Sequence, residues 1–175
     1  MPDGRDIVPD VYDALRNLAR ARLRDLRPGQ TLQATDLVHE VYIRLARTRE
    51  WNHRGHFFGA AAIAMRQVLV DHARRKSALR RGGGEAIVDH DISACHPTSA
   101  SGRGMSADEL LAVDQALDRL EEAHPRPAQV ALMRCFVGLT REQIAEALEV
   151  DPRTIDRDWR FARAWLRKAL AGDGG

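Results

Sequence analysis

Six basic side chains recur within residues 152–168: Arg153, Arg157, Arg160, Arg163, Arg167 and Lys168, opposed only by Asp156 and Asp158. Their spacings of three and four place neighbouring members on one side of a helix. Each guanidinium can donate two parallel hydrogen bonds to a phosphate or to a paired acceptor edge. A second island, residues 74–81, holds Arg74, Arg75, Lys76, Arg80 and Arg81 and no acid. The islands carry +4 and +5, which leaves −7 on the rest of a chain whose net charge is +2. One arginine-rich helix would be ordinary solvated surface. Two of them, each at a recognisable motif on an acidic body, point to two polyanion contacts and an acidic surface that faces something else.

Covalent chemistry finds no comparable support. His39 and Glu40 are adjacent, so on a helix they point about a hundred degrees apart. His53 and His56 flank a glycine in a loop, while His90, Cys95 and His96 lie in a glycine- and serine-rich stretch. A structural zinc site needs four ligands at tight spacing, and these do not assemble one. Neither Cys95 nor Cys135 has a helix N-terminus or basic pair to activate it. No nucleophile, base and orienting acid come together. The sequence therefore predicts a protein that is not an enzyme and takes no cofactor or metal. A metal- or redox-responsive module built on Cys95 and His96 is the weaker alternative.

The elements that must position the basic islands read as helices. Apolar residues at helical spacing run through 7–27, and "RPGQ" stops that segment. In residues 32–47 Leu37, Val38, Val41, Tyr42 and Leu45 share a face, with Asp36, Glu40, Arg44 and Arg47 elsewhere. A polar loop, "TREWNHRGH", precedes one long helix starting at Phe57. Its inward stripe is Phe57, Ala61, Ala64, Met65, Val68 and Leu69, and it ends in the first basic island. "GGG" breaks it, but follows a helix and is no phosphate-binding loop. Residues 82–105 lack periodicity and predict a flexible linker.

Beyond the linker, Ser106 caps a helix running to about His124, "HPRP" is a break, and "AQVALMRCFVG" is another helix. Thr140 and Gln143 have capping-box spacing before a short face of Ile144, Ala147 and Leu148. Asp151 as N-cap and Pro152 at the first helical position start a longer helix, with Ile155, Trp159, Ala162 and Leu166 inward. A short capped helix, a tight turn and a basic second helix make a helix-turn-helix. Glu149 occupies the turn where glycine is common, which predicts slight strain.

The expected fold is all-α, with two small helical domains: an N-terminal bundle over 5–81, the linker 82–105, and a helix-turn-helix domain over 106–171. With 44% hydrophobic residues but only 5% aromatic, the core must be aliphatic. Two distant cysteines fit a reduced, cytoplasmic setting. The N-terminus has no basic-then-apolar leader, and no apolar run approaches a membrane span.

In order, these segments resemble the extracytoplasmic-function (ECF) group of bacterial RNA polymerase sigma factors. "ATDLVHEVYIRLAR" looks like region 2.2, "HFFGAAAIAMRQVLVDHARRK" like regions 2.3 and 2.4, and "GLTREQIAEALEVDPRTIDRDWRFARAWL" like region 4.2. The resemblance covers nearly the whole chain. It implies that the N-terminal domain docks on the β′ clamp helices of core polymerase, through Asp36, Leu37, Glu40 and Val41, and opens the −10 element of promoter DNA. The C-terminal domain would lie on the β flap and read the −35 element. Arg153, Thr154 and Arg157 would then be readers, and Arg160 and Arg163 phosphate contacts. Asp156 stands where relatives often have a basic residue, and could accept from cytosine or orient an arginine. The loop "EWNHRGH" matches the family's base-capturing loop, so Trp51, Asn52 and His53 would meet a flipped base. Trp51 reads equally well as a core anchor at the loop's root. Arg66 matches a position near that pocket, and Arg74, Arg75 and Lys76 would hold the duplex backbone.

The family's acidic docking helix is thinned here. Gln33 and Thr35 replace two acids of the pattern, leaving Asp36 and Glu40. Phosphorylation of Thr35 would restore about −1.5 to −2 charges in a first helical turn, where the macrodipole favours them. A serine/threonine kinase, or an anti-sigma protein, would then be a further partner. The competing reading is that Thr35 only caps the helix. A stand-alone helix-turn-helix regulator with an N-terminal sensor is the alternative for the whole chain, but leaves the first basic island without a role.

Overall fold

The computed structural model describes residues 34–46, 54–80 and 106–172, and within them every element is helical. The predicted segment 7–27 and the linker lie outside these residues. In chain order the elements are α1 (Ala34–Ala46), α2 (Arg54–Arg80), α3 (Ala107–Ala123), α4 (Pro125–Leu132), α5 (Arg141–Leu148) and α6 (Pro152–Gly172). A π-helical turn, Met133–Val137, continues α4.

α1 buries Leu37, Val38, Val41 and Leu45, as its spacing predicts, but Tyr42 is exposed together with Ile43. The α1–α2 pair is fastened from the polar side as well. The Arg44 guanidinium donates to Asp71 at 2.8 Å, and His72 Nε2 lies 3.8 Å from Glu40. α2 begins at Arg54, inside the stretch expected to be loop. The whole expected stripe is buried, and Ala62, Val70 and Ala73 are buried too. A helix covered on more than one face loses its one-sided pattern. The reason is that α2 packs against α1 on one side and against α3 and the π-helical turn on another.

Capping sets the ends of the C-terminal elements. Ser106 Oγ accepts from the Glu109 N–H, and the Glu109 carboxylate accepts from the Ser106 N–H, a reciprocal box that starts α3. The break at "HPRP" is one residue wide: His124, at φ −144° and ψ 76°, leaves the helical region that a following proline disfavours, and Pro125 already opens α4. Gly138 at φ 76° ends the π-helical turn.

The described residues of the two expected domains pack against one another. The described residues of both halves contribute to one continuous apolar cluster, running from Leu37 and Met65 through Leu117 and Met133 to Ile155 and Leu166. Gly55 at the start of α2 approaches α5 so closely that a Cβ there would sit 1.8 Å from the Ala147 carbonyl oxygen. Among the described residues no helix is long and apolar enough to cross a membrane.

Candidate nucleic-acid interface

The helix-turn-helix forms from local sequence. Thr140 and Gln143 close the predicted capping box on α5. Glu149 takes the left-handed conformation, φ 54° and ψ 42°, with its N–H bonded to Glu146 O. Val150 N–H reaches Ala145 O at 3.0 Å, completing a Schellman turn. Asp151 Oδ1 then accepts from the Arg153 N–H at 2.8 Å and starts α6 behind Pro152. Ile155, Trp159, Ala162 and Leu166 are buried as expected, with Leu170 added.

The opposite face of α6 carries the expected readers. Arg153, Arg157 and Arg160 are exposed, and Thr154 is half-buried. Arg163 is half-buried because its guanidinium lies over Trp159, 5.8 Å from the ring centroid, with Arg134 over the same ring at 5.2 Å. Asp156 is held by Arg141 at 3.0 Å, a contact that ties the first turn of α5 to α6. Arg141 also bonds Glu142, and these carboxylates hold its pKa above the ordinary arginine value.

Sequence reasoning missed Asp158, which is buried in the apolar face of α6. Arg126 at the start of α4 pairs with it at 2.5 Å. The signal was available: Asp158 sits three residues after Ile155 and four before Ala162, on the inward stripe. A carboxylate there implies a cationic partner.

The second basic island ends α2, where Arg74 and Arg75 are exposed and Lys76 is half-buried. Trp51, Asn52 and His53 lie outside the described residues. Arg66 is the surprise. Instead of facing solvent it is about 9% exposed, beneath α3. Its Nε donates to Asp114 Oδ1 at 2.7 Å, and its NH2 group to the Asp114 carbonyl at 2.8 Å and Asp118 at 2.5 Å. Glu121 stands 3.9 Å away. Burial works against the charge of Arg66, but the Asp118 hydrogen bond and then the Asp114 charge outweigh it and raise the pKa. Asp114 Oδ2 also lies 3.5 Å from Arg74. The expectation that Arg66 meets nucleic acid is therefore not met in this arrangement, because carboxylates already occupy its donors. Asp114 was missed as well, although it falls four residues after Leu110 and three before Leu117 on the buried face of α3. Leu37 and Val41 need a similar correction: both are wholly buried, so they are core and not contact surface. Asp36 is exposed and Glu40 half-buried.

The ECF sigma factor family model matches residues 3–172. The chain belongs to the ECF sigma factor family. No curated protein and no solved structure matches it. As an alternative sigma factor it acts with core RNA polymerase and promoter DNA in transcription initiation, and its family is not catalytic. Exposed arginines of this sigma factor stand on α6, within the helix-turn-helix, and near the end of α2.

Proposed function

We propose that this sigma factor reads a −35 element with α6 and opens a −10 element with the segment around α2, docked on the polymerase β′ clamp helices and β flap. The observation that carries the reading is the exposed row of Arg153, Arg157 and Arg160 on a capped second helix. Such a helix enters a major groove with its first turns at the base edges. Arg153, Thr154 and Arg157 are the readers, and Arg160 and Arg163 bind phosphate. Arg74, Arg75 and Lys76 follow the duplex upstream of the flipped base, which meets Trp51, Asn52 and His53. Asp36 and Glu40 give the acidic docking contact. Run-off transcription over a genomic promoter library, with core polymerase and this protein added separately and together, tests the reading. Promoter-specific transcripts only from the combination support it. Tight, specific promoter binding by the protein alone, to which core adds nothing, favours the stand-alone regulator.

The same reading extends to Thr35. It is exposed, and it lies within the first turn of α1 beside Asp36. Both facts favour a phosphorylation switch that rebuilds the docking charge over a simple cap. Binding of wild type, Thr35→Ala and Thr35→Glu to core polymerase, with and without kinase treatment, decides. Full binding by the unphosphorylated wild type ends the switch.

A further inference from the structure

We infer that Asp156 reads a cytosine of the −35 element, and that Arg141 is the positioning residue that aims it. The inference rests on the functional reading above, which places α6 in a major groove. Asp156 stands in the second turn of α6, three residues after Arg153 and four before Arg160. The turns at the start of such a helix meet the base edges. The Asp156 side chain is 42% exposed, and among the described residues the partner of its carboxylate is Arg141 of α5, whose NH1 group donates to Oδ2 at 3.0 Å.

The bonds around Asp156 separate two roles for an acid on this helix. A carboxylate that orients a reader would hold an arginine of α6. Arg160 reaches only the backbone carbonyl of Asp156, with Nε at 3.3 Å. Arg157 lies beside a different carboxylate, Asp158, at 3.8 Å. Arg141 is no reader either, because its Nε and NH2 groups face Glu142 at 2.9 and 2.8 Å while NH1 holds Asp156. A guanidinium held by carboxylates on both sides is a fixed planar fork. It fixes Oδ2 of Asp156 and leaves the lone pairs of Oδ1 to a donor outside the protein.

Base chemistry names that donor. An ionised carboxylate only accepts hydrogen bonds. In the major groove guanine shows two acceptors, N7 and O6, and thymine shows O4, so both repel it. Adenine offers its N6 amino group but sets the N7 acceptor beside it. Cytosine offers its N4 amino group and no acceptor of its own. Asp156 therefore favours cytosine. Its charge is offset near the phosphates, because Arg141 is bonded to it and Arg153 and Arg160 share its side of α6. Arg153, Thr154 and Arg157 keep their own contacts, and Asp156 adds a position at which the promoter carries a C·G pair.

Run-off transcription with core polymerase, on promoters that carry each base pair in turn across the −35 element, tests the inference. Wild type is compared with Asp156→Asn, Asp156→Ala and Arg141→Gln, and circular dichroism melts show whether each is folded. Wild type prefers C·G at one position by about 5- to 150-fold, the discrimination of one good base contact. Asp156→Asn moves that preference to A·T and leaves the other positions unchanged, because an asparagine amide bonds adenine N6 and N7 together. Asp156→Ala abolishes the preference. Arg141→Gln weakens it without altering preference elsewhere, whereas a merely structural tie between α5 and α6 lowers transcription from all promoters alike. Unchanged base preference in folded Asp156→Asn and Asp156→Ala overturns the reading role, and loss of folding in both makes Asp156 a structural tie and overturns it too. An unchanged C·G preference in Arg141→Gln overturns the positioning role. No promoter-specific transcript from wild type with core polymerase overturns the functional reading itself, and this inference with it.

Discussion

Arg66 on α2 and Asp114 on α3, 48 residues apart in sequence, form a buried ion pair at 2.7 Å that joins the two halves of the sigma factor. Removing one partner of such a pair while the other stays buried costs about 3–5 kcal/mol. Local parting of α2 from α3 lets Arg66 regain water and lowers that cost. Asp114→Ala therefore speeds amide hydrogen exchange along the facing surfaces of α2 and α3 while helix content by circular dichroism stays unchanged. Cooperative loss of all helices in this variant instead means that the halves cannot separate without unfolding.

If α6 reads the −35 element as proposed, base reading and phosphate binding separate along it. Arg157→Ala costs about 1–3 kcal/mol on the preferred promoter and relaxes preference at one upstream base pair, if its exposed guanidinium bonds guanine bidentately. Arg163→Ala weakens binding to all sequences and lowers the salt slope by about one. Because Arg163 also lies over Trp159, it costs about 0.5–1 kcal/mol of fold stability as well. Binding isotherms over a set of promoter variants at several salt concentrations, with melts of the free proteins, tell the two apart.

The Arg126–Asp158 pair is asymmetric. Asp158 is buried and Arg126 is half out in solvent. Without Asp158 the arginine swings into water. Without Arg126 the carboxylate stays in the core of the helix-turn-helix with only Arg157, 3.8 Å away, near it. Arg126→Ala is therefore more destabilising than Asp158→Asn. Denaturant midpoints of the two variants at neutral pH give the order.

Glu149 holds a left-handed conformation that costs a side-chain-bearing residue about 1–2 kcal/mol. Glycine relieves that strain but loosens the unfolded chain by about 0.4–1 kcal/mol. Glu149→Gly raises the melting temperature by a few degrees, with DNA binding unchanged. A lower melting temperature shows that the Glu149 side chain contributes more than its backbone costs.

Local sequence set the helices and their ends. Capping boxes at Ser106–Glu109 and Thr140–Gln143, the Asp151–Pro152 start and the inward stripe of α6 are local chemistry, decided within a few residues. The same locality made the helix-turn-helix and its basic face legible before any packing was known. The break at "HPRP" was overdrawn because prolines there open a helix as readily as they end one. Packing between helices set the company each face keeps. Leu37 and Val41 looked like contact residues until α2 covered them, and Tyr42 looked inward until that packing left it outside. Arg66 carries the clearest case. Its spacing allowed solvent, nucleic acid or a buried partner, and the choice fell to carboxylates some fifty residues away. Charge pairing across a fold has no period in the sequence, so its trace is only an acid on an apolar stripe, as at Asp114 and Asp158.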